Sequence, residues 1–297
     1  MGSWSGKLAL TPFSGRAGRL AVGYHRAVMP RLSANLSYLF AERPFLDRFG
    51  AAAACGFRAV EHQFPYTEAS ETAIARRVRE HDLEVVVFNV PPGGEGERGL
   101  GGLPGREAEF QEAVDLALSY CRAAACPRLH AMWGIPPEGT SYEESRATFV
   151  GNLRVAAPRA AEAGVTLLVE ALNPRDNPGY PLNRQADAHV LAADVGALNV
   201  QVQFDLYHTQ LVEGGVAEKL ELYLGGPDSN VGHIQIAGPP ERLEPDYGEL
   251  NYAWLLPRID ELGYDGWVGC EYRPAAGTEA GLGWARPWGI RPPPDGG

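Results

Sequence analysis

The chain has 297 residues, 45% of them hydrophobic, and a formal charge of −11. That content can build one large core or two smaller ones, and no apolar run approaches the roughly 20 residues of a membrane span, so a water-borne protein with no membrane partner is expected. The acidic balance argues against nucleic acid as partner, because phosphate binding depends on neutralisation by Lys and Arg.

The first 29 residues stand apart. They carry Lys7, Arg16, Arg19 and Arg26 and no acid, so they hold +4 and leave −15 for the rest. A leader rich in Ser, Arg and Gly and devoid of acids has the composition of an organelle transit peptide. The preferred reading is a disordered N-terminal extension over 1–29, or an upstream addition to a chain whose working start is Met29, with a cytoplasmic location expected. It has no apolar h-region of a secretory signal. Cys55, Cys121, Cys126 and Cys270 form no C-x-x-C pair and no metal spacing. They read as buried, reduced thiols.

From residue 30 strand and helix patterns alternate. Predicted strands are Arg31–Leu39, Arg58–His62, Glu84–Val90, Arg128–Trp133, Val165–Glu170, Val200–Asp205, Val231–Gln235 and Trp267–Glu271. Predicted helices are Pro44–Cys55, Ala69–His81, Arg106–Ala125, Glu143–Ala163, Gln185–Val195, Val216–Leu224 and Tyr252–Leu262, with a weaker Thr278–Trp288 cut by Pro287. Gly56, Gly164 and Gly263 stand where helices end. This count predicts an α/β fold, a (β/α)8 TIM barrel, as a single domain over 30–290 with a tail over 291–297. A doubly wound sheet is the rival, but it usually needs fewer strands and carries a glycine fingerprint. Gly93–Gly96 and Gly99–Gly102 match neither that fingerprint nor a Walker loop. They read as a lid over the barrel mouth, or as a plain surface loop.

The last four predicted strands share a design. Each is a short apolar run, expected as a buried parallel strand, and each ends on an oxygen-bearing side chain: Glu170, Asp205, Gln235 and Glu271. The intervals are 35, 30 and 36 residues, about one βα unit each. An ionised carboxylate on a buried strand needs compensation. Converging at the C-terminal mouth of a barrel, the four read as a site for a hard divalent cation, Mg²⁺ or Mn²⁺. The bland alternative is four separately capped or salt-bridged strand ends. Four protein ligands leave two octahedral positions free, which a substrate with adjacent carbonyl and hydroxyl oxygens fills. Chelation acidifies the proton on the hydroxyl-bearing carbon, and Glu170 and Glu271 then serve as base and acid. No nucleotide cofactor is called for. His208 is a candidate to polarise a substrate oxygen as a neutral imidazole, and Arg242 to hold a substrate carboxylate. His233 shares a face with Gln235 one layer deeper. Of Glu61 and His62, one must point outward.

Leu32-Ser-Ala-Asn-Leu-Ser-Tyr-Leu-Phe40, Phe64-Pro-Tyr66, Phe88-Asn-Val-Pro-Pro-Gly93, Glu170-Ala-Leu-Asn173, Phe204-Asp-Leu-Tyr-His208, Gly232-His-Ile-Gln-Ile-Ala237, Gly248-Glu-Leu-Asn-Tyr252 and Gly269-Cys-Glu-Tyr272 occur in order. Over about residues 30–288 the chain resembles the hydroxypyruvate isomerase family, within the xylose-isomerase-like barrels. The resemblance implies interconversion of hydroxypyruvate and tartronate semialdehyde, with Glu170 and Glu271 as the proton-transfer pair. In related barrels Glu170, Asp205, Gln235 and Glu271 match the metal-binding set. One departure stands after strand seven, where the family's Pro-Gly-Arg-Gly-Glu-Pro reads Pro240-Glu-Arg-Leu-Glu-Pro245. Arg242 is kept, but Glu241 and Leu243 replace glycines. A changed loop path is expected, because glycine alone reaches positive φ cheaply. Glu241 is also expected to repel an anionic substrate.

The first functional reading is therefore a hydroxypyruvate isomerase acting on a small hydroxy-keto acid. The runner-up is an isomerase or epimerase of a longer 2-keto acid or ketose at the same site. A non-catalytic binding barrel predicts loss of one glutamate, and both are present. A nuclease of the endonuclease IV type calls for additional His ligands and a basic face, against a body of −15. A homo-oligomer is compatible with all of these.

Overall fold

The computed structural model describes residues 30–227 and 229–293. The expected extension over 1–29 and the end of the expected tail lie outside the described residues. Eight parallel strands close into a barrel in sequential order: β1 Arg31–Asn35, β2 Ala59–His62, β3 Glu84–Asn89, β4 Arg128–His130, β5 Thr166–Glu170, β6 Val200–Asp205, β7 Val231–Ile236 and β8 Trp267–Cys270. β8 pairs with β1 and completes the ring. The helices are α1 Phe45–Ala54, α2 Glu71–Glu80, α3 Glu107–Ala124, α4 Tyr142–Glu162, α5 Gln185–Val195, α6 Leu206–Val212, α7 Val216–Leu224 and α8 Tyr252–Glu261.

The helices begin where local chemistry satisfies their free N–H groups. Ser70 caps α2 by accepting from Ala73, and Ser141 caps α4 by accepting from Glu144. On α2 the buried side chains are Ile74, Ala75 and Val78, one face at helical spacing, and Arg76 and Arg79 fall outside it. Gly56, Gly164 and Gly263 all have positive φ at the ends of their helices, as expected. The core lies between strands and helices, with Phe49, Phe110, Phe149 and Phe204 buried. All four cysteines are free and buried, as read from the sequence. Among the described residues no helix is long and apolar enough to cross a membrane.

Three predicted elements differ. Strand one stops at Asn35, where the chain turns and Tyr38 and Leu39 donate back to the Asn35 carbonyl. Strand four stops at His130, because the Met132 and Trp133 carbonyls are taken by the N–H groups of Gly101 and Gly102 in the glycine-rich loop. The segment 278–288 is helical only over Thr278–Gly281 and continues as a tighter turn over Leu282–Trp288 that contains Pro287. Helix α6 was not predicted. It starts directly after β6, and its cap is the Asp205 side chain, which accepts from the Tyr207 N–H at 2.7 Å.

Candidate active site

The barrel's parallel register brings the strand ends together. Glu170 and Asp205 are the last residues of β5 and β6, Gln235 is one residue short of the end of β7, and Glu271 directly follows β8. Asp205 lies opposite Gln235, and Gln235 opposite Gly269. A cavity of about 370 Å³ opens at this end, and Glu170, Glu271, His208 and Arg242 all line it. Asp205 and Gln235 sit beneath it, at 0% and 2% exposure, and do not form its wall.

The glutamates are held at unusual protonation equilibria. Burial pushes the Glu271 carboxyl up to about 8; Arg242 opposes this, and Asp205 and Glu61 reinforce it. Glu170 is raised well above its ordinary value by burial, then by Asp205 and Glu271. Asp205 is raised by burial, against the pull of Arg242. The Arg242 guanidinium lies among them, with Nη2 3.1 Å from Glu271 Oε1 and 3.6 Å from Asp205 Oδ2. Tyr38 and Tyr207 flank it, each ring centroid 5.1 Å from the guanidinium carbon. Gln63 Nε2 donates to Glu271 Oε1 at 2.7 Å.

The loop after β7 turns at Arg242. Positive φ, 63°, falls on Arg242 itself and not on Glu241 or Leu243, so the two replaced glycines did not have to supply it. The cost of that conformation, about 1–3 kcal/mol, is offset by fixed partners: its carbonyl accepts from the Arg273 N–H and its Nε donates to the Glu271 carbonyl. Glu241 is exposed and outside the cavity wall.

His208 belongs to α6, not to a loop. Its Nδ1 accepts from the Asn173 backbone N–H at 3.2 Å and lies 2.6 Å from Asn173 Nδ2. The Asn173 amide cannot be reversed, because its Oδ1 accepts from the Asp176 N–H. The ring proton therefore sits on Nε2, 3.6 Å from Asp205 Oδ2. Burial, then Arg242, hold the ring's pKa well below 6.5. With Nδ1 accepting and the pKa lowered, the neutral ring can donate from Nε2. Nitrogen-15 NMR at pH 5.5 is expected to show a neutral His208 protonated on Nε2; an imidazolium signal there would remove this role.

The structure adds one titratable residue that the sequence did not single out, His130, and orients Glu61, His62 and His233. His130 lines the cavity with Nδ1 3.6 Å from Glu170 Oε2, and burial lowers its pKa to about 3. Glu61 is the member of its pair that points inward. It accepts from Asn35 Nδ2 at 3.0 Å and from Gln235 Nε2 at 2.7 Å on one oxygen, and lies 2.7 Å from His233 Nε2 on the other. A Cβ on Gly269 would meet its carboxylate at 2.5 Å, so a glycine on β8 makes room for it. His233 is accordingly a partner of Glu61 one layer down. His62 turns outward onto the Phe45 ring at 4.4 Å, with Nδ1 2.9 Å from Ser37 Oγ. Gly96, Glu97 and Arg98 of the glycine-rich loop line the cavity, and Arg98 Nη1 donates to Asn177 Oδ1 at 2.5 Å.

The donor set fits a hard cation. Glu170 Oε1 and Asp205 Oδ2 are buried with no hydrogen-bond partner among the described residues, and Glu170, Asp205 and His208 converge with ligand-capable atoms within 4.8 Å of one another. Gln235 Oε1 accepts one hydrogen bond, from Gln203 Nε2 at 2.7 Å, which leaves its second lone pair. Glu271 is not in the group of Glu170, Asp205 and His208; its Oε1 accepts from Gln63 Nε2 and lies 3.1 Å from Arg242 Nη2. His208 is unsuited as a ligand in its Nε2–H form.

A sequence profile described as a xylose isomerase-like TIM barrel matches residues 49–288. The 2-oxo-tetronate isomerase of Cupriavidus necator is 53% identical over 262 residues, covering 88% of this chain and 99% of the relative. The hydroxypyruvate isomerase of Escherichia coli is 42% identical over 262 residues, covering 88% and 100%. Among solved structures, AP endonuclease, family 2 from Brucella melitensis superposes with a TM-score of 0.84 at 47% identity, covering 88% of this chain and 99% of that one.

Proposed function

This chain belongs to the xylose isomerase-like TIM barrel family and is an isomerase, and we propose that it moves a carbonyl between C2 and C3 of a short 2-keto-3-hydroxy acid, interconverting hydroxypyruvate and tartronate semialdehyde. The observation that carries this reading is the pair of buried glutamates, Glu170 and Glu271, opening on one cavity beside Arg242 and His208. A carboxylate held out of water with a raised pKa is a stronger base than one in solution. One glutamate takes the C3 proton and the other delivers a proton to C2, while the O3 hydroxyl proton passes to O2 so that the carbonyl moves to C3. Between these steps the substrate is an enediolate, and the His208 Nε2–H and the Arg242 guanidinium are the donors that stabilise its oxygens. His130 stays neutral and leaves the charge of Glu170 uncompensated.

The candidate ion is Mg²⁺ or Mn²⁺, with Glu170, Asp205, Gln235 and Glu271 as its ligands. When bound, it supplies positive charge that favours ionised carboxylates and an anionic substrate.

A second reading is favoured by the 53% identity to a 2-oxo-tetronate isomerase. That acid is hydroxypyruvate with a hydroxymethyl group on C3, and a cavity of about 370 Å³ exceeds what three carbons fill. The same two glutamates then shift the carbonyl from C2 to C3 of a four-carbon chain. The nuclease name of the Brucella structure is not carried over, because an acidic body is ill suited to a phosphate backbone.

The test is proton exchange by NMR in deuterated buffer, with hydroxypyruvate and 2-oxo-tetronate offered separately to the metal-loaded protein. Loss of the C3 proton signal with appearance of the isomeric carbonyl compound is expected, and the substrate with the higher kcat/KM is assigned. Exchange with neither acid would refute the reading.

A further inference from the structure

Any substrate of the proposed class carries a carboxylate, and resting on that reading one can ask which side chain receives it. The cavity wall has three cations among the described residues: Arg98, Arg242 and Arg273. His208 and His130 are held neutral and add none.

Two of the three are already engaged. Arg242 is 8% exposed, pairs with Glu271 and Asp205, and stacks between two tyrosines. Its charge balances acids that the chemistry requires. Arg98 donates to Asn177 Oδ1 and to the Asp176 carbonyl, tying the glycine-rich loop to the segment after β5. Arg273 differs. Its backbone N–H is fixed on the Arg242 carbonyl at 2.7 Å, yet among the described residues its guanidinium pairs with no acid and makes no side-chain hydrogen bond. Of the three cations on the cavity wall, only Arg242 is paired with acids, and Arg98 is spent on the Asn177 and Asp176 oxygens. An unpaired guanidinium on the lip, two residues beyond Glu271, is the free positive group that an entering anion meets.

We propose that Arg273 receives the substrate carboxylate at the lip of the cavity and so selects acids over neutral sugars, while Arg242 serves the reacting oxygens below. The two arginines sit on neighbouring loops, after β7 and after β8, one buried and one exposed, and the Arg273 N–H to Arg242 carbonyl bond joins the loops. A keto acid anchored by C1 at the exposed one directs C2 and C3 toward Glu170 and Glu271. The role is recognition and orientation, since Arg273 touches no atom that gains or loses a proton.

The experiment compares hydroxypyruvate with dihydroxyacetone, its neutral counterpart with a hydroxymethyl group in place of the carboxylate, by proton exchange in the metal-loaded enzyme. Arg273→Gln is expected to raise KM for hydroxypyruvate by roughly 10- to 30-fold, the size of one charge-assisted hydrogen bond, with a far smaller change in kcat. The preference for the acid over dihydroxyacetone should fall by the same factor, and Arg273→Lys should recover part of it. Arg98→Gln removes the same unit charge from the same wall and should keep the preference, which separates a specific anchor from a general field. A preference retained in Arg273→Gln, or lost equally in Arg98→Gln, overturns the assignment. If the unaltered enzyme exchanges neither hydroxypyruvate nor 2-oxo-tetronate, the functional reading itself falls, and the anchor with it.

Discussion

Glu271→Gln and Glu170→Gln are each expected to lower kcat for isomerisation by about 10³-fold, within the range of a lost general acid or base. Glutamine keeps the size and the acceptor oxygen, so Gln63 Nε2 and Arg242 Nη2 can still be met at position 271. What it removes is the group that takes or gives a proton. The two variants are expected to diverge in exchange at C3. The one lacking the base loses exchange and product together. The one lacking the acid still forms the enediolate and returns a solvent deuteron to C3, so exchange survives while isomerisation is lost. This split assigns the two roles, which burial alone does not distinguish, because both carboxyls are raised. Thermal melts and metal stoichiometry of each variant separate chemistry from folding and ion binding. Product formation within about tenfold of the unaltered enzyme in either variant would reject a two-glutamate reaction.

The metal-free protein is expected to lose stability as pH rises from 6.5 to 8, and Mn²⁺ or Mg²⁺ to remove that loss. Glu271 has a folded pKa of about 8, above its ordinary 4.5. Its contribution is complete below pH 4.5 and is lost as pH rises through 8, because the unfolded chain ionises first. Glu170 and Asp205 are raised and act with the same sign. The buried histidines act the other way. His62 and His130 are lowered from 6.5 to about 3, so their contribution is present above 6.5 and lost as pH falls toward 3. Below pH 6.5 the two sets oppose each other, and between 6.5 and 8 the carboxyls act alone. One carboxyl over that interval costs about 2 kcal/mol, or roughly 4–8 °C in melting temperature for a chain of this size. A bound divalent ion holds the carboxylates ionised and paired, so affinity rises with pH and the slope disappears. Melts in EDTA and in Mn²⁺ at pH 6.5 and 8 decide it. A flat melting temperature in EDTA would mean that these carboxyls are not protonated in the folded state. An unchanged slope in saturating Mn²⁺ would mean that the ion is not held there.

Local pattern and spacing determined a large part of this protein. Apolar runs ending on Glu170, Asp205, Gln235 and Glu271 at near-constant intervals, with the count of eight strands, pointed to a parallel barrel, and a parallel barrel places strand ends at one mouth. Helix boundaries were legible within a few residues because caps and terminal glycines are local signals. Where a boundary depended on a distant partner it was missed, as at β4, whose ladder ends because Gly101 and Gly102 take its next carbonyls. Helix α6 was missed because the group that starts it, Asp205, was read as a strand end with another role.

The electrostatics of the site were decided by contacts between residues far apart in the chain. Gln63 and Glu271 are 208 positions apart and Glu61 and Gln235 are 174 apart, yet each pair is joined by one 2.7 Å hydrogen bond. The Asn173 N–H fixes the His208 tautomer across 35 positions. The sequence could name Arg242 as a cation near the mouth, but not that its charge is spent on Glu271 and Asp205 while Arg273, among the described residues, pairs with no acid. Which residues carry chemistry follows from side-chain type and strand position. Their protonation and pairing follow from burial and from neighbours across the closed ring, and only the tertiary structure sets those.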